Sequence, residues 1–268
     1  MSKKISIIMG IYNCEATLPE AIDSILAQTF TDWELIMCDD GSADDTLRVA
    51  QSYQERYPDR MKVLTNGRNL GLNRTLNHCL EHARGAYIAR MDGDDISLPR
   101  RLEKEAAFLD AHPEFAIVSC PMIYFDENGD WGRGTEIMYP QPANFVAGTP
   151  FCHAPCMVRA EAYRAVGGYS QEPRTLRAED YYLWFCMYAA GYRGANLMEP
   201  LYKMRDDQNA YHRRKFRYAL NEAYVRLRGY RMLKLPLRSY LYVIRPIVVS
   251  LLPGPLYRCL HHGRQTGN

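Results

Sequence analysis

Nowhere does this sequence hold an apolar run of the roughly 20 residues needed to span a bilayer, and the apolar stretch after Lys4 ends by Tyr12, too short for a secretory signal core. A cytoplasmic protein is the expectation. The chain lacks a P-loop and a G-x-G-x-x-G, the glycine-rich turns that cradle phosphate through backbone amides, so those routes to nucleotide binding are excluded. It has no internal repeat, which excludes a solenoid, and no low-complexity linker to separate independently folding domains. A zinc framework is missing too. Of eight cysteines only Cys152 and Cys156, with His153 between them, are spaced like ligands, and without a second pair they read as buried or loop thiols of a reducing compartment.

What is present is an ordinary globular composition, 47% hydrophobic over 268 residues, enough for one large α/β domain. The net charge of +2 conceals an asymmetry. Residues 203–268 carry 14 Lys/Arg against 3 Asp/Glu, leaving 19 against 28 in the preceding part, so an acidic body is followed by a basic tail. Such a tail suits an anionic membrane surface, a nucleic acid or a partner protein. Its aromatic and basic residues follow a helical core spacing more than a base-stacking one, and no nucleic-acid partner is expected.

Apolar runs of strand length alternate with stretches of helical period through the first hundred residues. Ile5 to Met9, Trp33 to Cys38, Met61 to Thr65 and Ala86 to Met91 read as strands. Between them lie helical faces such as Leu18, Ile22 and Ile25, and then Leu72, Leu76 and Leu80. This βαβα rhythm implies parallel strands with crossover helices, and ligands of such sheets sit beyond the carboxyl ends of the strands. Pro99 is expected in the first turn of a helix with the face Leu102, Ala106 and Leu109, and Phe115 to Cys120 as a further strand. The Gly- and Pro-rich region from Asp126 to Gly148 reads as loops. A last helical face, Leu183, Cys186 and Met187, starts at Glu179-Asp180 and stops near Gly191.

The residues that follow the strands are unusually polar. Arg90-Met91-Asp92-Gly93-Asp94-Asp95 crowds three acids at a strand end, and like charges so close call for a cation; hard oxygen ligands suit Mg²⁺ or Mn²⁺, which take only one or two protein carboxylates and fill the rest with phosphate and water. The same acids could instead cap the next helix through Asp95 or Ser97. Cys38-Asp39-Asp40-Gly41-Ser42 ends the second strand, and its aspartates can accept hydrogen bonds from a base or a ribose, or simply cap a turn. Taken alone, Glu179-Asp180 is an ordinary acidic helix start.

Five segments together resemble the family 2 glycosyltransferases of the GT-A fold: Ser6 to Asn13, Asp39-Asp40-Gly41-Ser42, Asn69-Leu70-Gly71, Ala89 to Asp95 and Glu179-Asp180. The resemblance spans residues 5 to about 205, and within the family is nearest to bacterial exopolysaccharide-biosynthesis transferases. It implies a mixed, mainly parallel α/β sheet flanked by helices. It further implies that Tyr12 stacks near a nucleotide base, Asp40 reads its N3–H, Asp92 lies by the ribose, and Asp94, with Asp92, holds Mn²⁺ or Mg²⁺. Asn13, Asp39, Arg68, Arg90 and Glu179 join the nucleotide and substrate contacts, and Asp180 is the catalytic base. His153 falls where the family has a histidine near acceptor and metal, although His-Ala-Pro stands here for His-Pro-Ser. The implied reaction moves one sugar, with inversion, from a nucleotide-sugar donor, a UDP-sugar in first place, to a saccharide or lipid-linked saccharide. No Gln-x-x-Arg-Trp motif of the processive members is present. The other readings are a nucleotide-sugar pyrophosphorylase, against which a single glycine at Gly10 argues, and a scaffold acting through the tail.

The body, residues 1–205, is therefore expected to be followed by a basic amphipathic helical tail, residues 206–268. The tail carries a helical face with Phe216, Leu220, Ala223, Tyr224 and Leu227 and an apolar stretch from Tyr240 to Leu256 interrupted by basic residues and prolines. Such a tail would hold the enzyme at the inner face of a cell membrane, pack on the body as a lid, or meet a second protein.

Overall fold

A computed structural model describes residues 3–134, 137–206 and 216–251. Residues 252–256 of the apolar stretch, and the rest of the tail beyond 251, lie outside the described residues.

Eleven strands and eight α-helices are described. The first half alternates β1 (Ile5–Ile11), α1 (Leu18–Leu26), β2 (Trp33–Asp39), α2 (Thr46–Arg56), β3 (Met61–Thr65), α3 (Leu72–His82) and β4 (Tyr87–Arg90). Then come β5 (Ile96–Ser97), α4 (Arg101–Ala111), β6 (Ile117–Ser119), β7 (Met122–Asp126), β8 (Gly129–Arg133), β9 (Met157–Arg159), α5 (Ala160–Val166), α6 (Glu179–Ala189), β10 (Gly194–Asn196) and β11 (Tyr202–Arg205). The tail contributes α7 (Phe216–Met232), a 3-10 segment (Leu237–Ile244) and α8 (Arg245–Ser250).

The main sheet has the order β10-β6-β9-β4-β1-β2-β3, parallel throughout except for β9, which runs antiparallel to both β4 and β6. Its central strands are buried on both faces. Ile5, Ile7, Met9 and Ile11 of β1 point into a core with α1, α2 and α4, while Ile8 points into a second core with α3, α5 and α6. This is why the strand reads as a nearly continuous apolar run: alternate side chains face opposite cores and neither face meets water.

A smaller sheet of order β5-β11-β7-β8 sits beside it. Here the structure corrects the reading of residues 126–148 as loops, because Gly129–Arg133 forms a hairpin with β7 and Pro142–Val146 a 3-10 turn. β8 is too exposed and too poor in apolar residues to carry an alternating signal. Pro99 also stands before α4 rather than in its first turn, the helix starting at Arg101.

The tail's first helix packs on the body. Val225 and Tyr230 lie in the second core, and a Cβ on Gly229 would stand 2.3 Å from the Phe185 ring, so only glycine lets α7 approach α6 this closely. No helix among the described residues is long and apolar enough to cross a membrane.

Candidate active site

Parallel pairing brings the ends of β1, β2 and β4 to one rim, with Ile11 opposite Asp39 and Ile8 opposite Arg90. Because β9 runs the other way, the turn that precedes it reaches the same rim, and the Arg90 amide donates to the Cys156 carbonyl at 2.9 Å. Tyr12, Asn13, the Asp39-Asp40 pair, Asp92 and His153 thus lie along a single edge.

At the β2 end the two aspartates hold loops. Asp39 accepts from the Gly41 amide (3.1 Å), the Ser42 amide (3.2 Å) and the Ser42 hydroxyl (2.5 Å). Asp40 accepts from the Asn66 side chain and the Leu70 amide, both at 2.8 Å, and from the Gly71 amide at 2.9 Å. A carboxylate offers about four lone-pair positions, so three protein donors leave each aspartate little capacity for a ligand. Gly41, at φ +75°, closes the arrangement: a Cβ there would lie 2.5 Å from the Cα of Arg68, whose side chain is exposed. Asn13, at φ 48°, ties the first loop to the second by accepting from the Ala43 amide at 2.9 Å. Tyr12 next to it stands 48% exposed, its ring open for stacking.

At the β4 end the acids are crowded. Arg90 is buried and pairs with Asp92 at 2.6 Å. Burial opposes its charge, but Asp92 and other neighbours outweigh that cost and hold its pKa above the ordinary arginine value. Asp94 opens to solvent, yet loss of hydration in its recess and then the charge of Asp92 push its pKa up. Asp95 is buried and does not cap α4; it accepts the Arg205 amide at 2.8 Å, and Arg205 Nε donates to the Asp94 carbonyl at 3.0 Å. Tyr202 receives the Asp92 amide at 3.2 Å. Gly93 is required for closeness, since a Cβ there would meet the Cys14 sulfur at 3.0 Å.

Beneath this turn Arg101 and Glu105 form a fully buried ion pair, and Arg101 donates to the Arg90 carbonyl at 2.7 Å. Burial, only partly offset by Arg101, lifts Glu105 to about 8. No spacing in the sequence marked this pair, nor Tyr202 and Arg205, which approach the acids from a strand more than a hundred residues away.

The third component is the start of α6. Asp180 is half-buried, and desolvation followed by the charge of Glu179 lifts its pKa to about 6, with the nearby amides and Arg90 pulling the other way. His153 shares a hydrogen bond with the Tyr169 hydroxyl at 2.9 Å, and burial together with Arg90 holds the imidazole neutral. Arg90 acts electrostatically on Asp94, His153 and Asp180 alike, so its guanidinium lies in reach of all three. Two buried atoms there, Arg90 Nε and Glu179 Oε2, have no hydrogen-bond partner among the described residues. The turn before α6 is gripped from the tail, where Asn221 donates to the carbonyls of Pro173 (3.3 Å) and Leu176 (2.9 Å).

Among the described residues no three His, Cys, Asp or Glu side chains converge as a closed metal cage. Asp92 and Asp94 nevertheless fit a hard divalent cation, which needs only one or two carboxylates and would offset the repulsion that raises Asp94.

The profile described as Glycosyl transferase family 2 matches residues 6–167, and that of Glycosyl transferase family group 2 matches residues 87–261. EpsE of Bacillus subtilis is 48% identical over 97% of this chain and 94% of its own length. The amylovoran biosynthesis glycosyltransferase AmsE of Erwinia amylovora is 29% identical over 98% and 99%. Among solved structures, S. aureus TarS in complex with UDP-GlcNAc superposes with a TM-score of 0.70 at 19% identity, covering 97% of this chain and 87% of that one. The mannosyltransferase PcManGT of Pyrobaculum calidifontis, in complex with GDP-Man and Mn²⁺, gives 0.67 at 18% identity, covering 98% and 80%. The fold is that of the GT-A glycosyltransferases.

Proposed function

The chain belongs to glycosyl transferase family 2, and from that premise we propose that it moves one sugar, with inversion, from a nucleoside diphosphate sugar to a saccharide or lipid-linked saccharide in exopolysaccharide assembly. The name of AmsE supports the pathway, and the ligands of TarS and PcManGT support a nucleotide-sugar donor, with a UDP-sugar in first place.

The observation that carries the reading is Asp180, a carboxyl lifted to about 6 at a helix start and within the electrostatic reach of Arg90, which pairs with Asp92. A carboxylate with that pKa is ionised at neutral pH yet basic enough to take a proton. Asp180 accepts the proton of the acceptor hydroxyl as its oxygen bonds to the anomeric carbon, and the bond to the nucleoside diphosphate breaks on the opposite face. Asp94, with Asp92, would hold Mn²⁺ or Mg²⁺, a cation whose charge stabilises the departing diphosphate.

The base is received at the other end of the rim, with Asp92 by the ribose. Tyr12 offers its exposed ring for stacking, with Asn13 and Arg68 beside it. Asp39 and Asp40 contribute chiefly by holding the loops, with the lone pair left on Asp40 available to the base N3–H. Neutral His153 sits on the acceptor side, able to hydrogen-bond without adding charge.

Calorimetric titration with UDP and with GDP, each with and without Mn²⁺, tests the proposal. We expect metal-dependent binding of one nucleotide, weakened about tenfold or more by Asp94→Ala. Binding that ignores both Mn²⁺ and Asp94→Ala would overturn the metal assignment, and binding of neither nucleotide would overturn the donor class.

A further inference from the structure

The end of the described tail leaves an apolar stripe uncovered. Leu237 (87%), Leu241 (76%), Ile244 (58%), Val248 (52%) and Leu251 (70%) are all exposed, at alternating spacings of four and three residues. Their exposure leaves an apolar surface uncovered along the helical segment formed by the 3-10 turns and α8. Other residues of the segment pack on α7: Ser239 and Pro246 are buried, and the Tyr240 ring meets that of Tyr230 at 5.9 Å. The segment is therefore seated on the body and presents this apolar surface outward.

Charge identifies the occupant. From residue 223 onward the sequence has eight Lys/Arg and no Asp or Glu. Arg226 is buried against Glu222, Arg228 pairs with Glu172 and Arg245 donates to the Ala147 carbonyl at 3.1 Å, while Arg231, Lys234 and Arg238 stand exposed, Arg238 within the striped segment itself. We propose that this stripe is a docking face for an anionic lipid surface, with the leucine, isoleucine and valine side chains entering the acyl boundary and the basic residues meeting phosphate headgroups. A second copy of the chain is a poorer occupant. The stripe covers about two heptads where a stable coiled coil takes three or four, Pro246 interrupts it, and pairing would bring two acid-free basic segments together.

The inference goes beyond the transfer reaction and is read separately from it. Full-length protein is floated with vesicles of one-third phosphatidylglycerol in phosphatidylcholine, and with vesicles of phosphatidylcholine alone. Wild type is expected to float with the anionic vesicles and to be released by salt, and the double substitution Leu237→Glu/Leu241→Glu to lower the bound fraction about tenfold or more. Both residues are exposed, so thermal stability and nucleotide affinity should stay at wild-type values and show that the fold is intact. No flotation of wild type, or equal flotation of the variant, overturns the proposal. A wild-type dimer in light scattering that the double variant converts to monomer overturns it in favour of an interface between copies.

Discussion

At the β2 end of the rim, Asp39 and Asp40 each accept three donors from their own chain; at the β4–α6 end, Asp94 and Asp180 hold carboxyl groups whose ionisation burial and neighbouring acids oppose. The first pair is finished by folding, while the second is left in tension. A carboxylate surrounded by N–H donors stabilises the loops that bind it, whereas a partly desolvated carboxylate beside another acid costs stability and gains basicity. Acids that look alike in sequence are therefore left in opposite states by the fold.

Substitution should separate them. The largest effect is expected from Asp180→Asn, which removes the base and should lower kcat about 10³-fold with nucleotide affinity retained. A variant of near wild-type rate would remove Asp180 from the chemistry and leave the α6 end without its distinguishing role. Next, Asp40→Ala strands three donors and should cost about 2 kcal/mol of stability in denaturant unfolding. An unchanged midpoint would show that the β2 loops hold themselves.

The pH profile gives a smaller effect. With Asp180 titrating near 6, the rate should fall about tenfold per unit on the acid side of that value and level off above it. A profile flat down to pH 5 would sever the base from this residue. The smallest effect has the opposite sign to that of Asp40→Ala. Since the folded-state pKa of Asp180 lies above its ordinary value of 3.8, the native state holds that proton more tightly than the unfolded chain, and stability is lost as pH rises from about 4 through about 6. Asp180→Asn should therefore stabilise the protein at pH 8 by about 1 kcal/mol while inactivating it. A destabilised Asn variant would mean that the carboxylate is held by favourable contacts after all.

Much of this architecture is legible in the sequence, for a physical reason. Strands buried on both faces, such as Ile5–Ile11, must be apolar along their length, and parallel order then sends their polar followers to one rim. The smaller sheet was hidden because β5 has two residues and β8 is exposed, with only Asn128-Gly129 hinting at a hairpin. The acids of the site announced themselves as motifs, but their working state did not. How far Asp40 is occupied depends on Asn66 and Leu70, and how far Asp180 is raised depends first on its desolvation, both of which arise only through the fold. The i, i+4 pair Arg101–Glu105 carries no mark in the sequence, because its burial beneath the site comes only from the fold.

The amide of Asn221 has one more consequence. It holds the two carbonyls that frame the approach to α6 from a helix that also supports the outward-facing apolar stripe. The start of α6, and Asp180 with it, is thus braced from behind by the tail, as a tool is held in a vice. The alignment of Asp180 belongs as much to the last quarter of the polypeptide as to the sheet in front of it, and a cut made between the body and α7 would leave the motif intact while removing its backing.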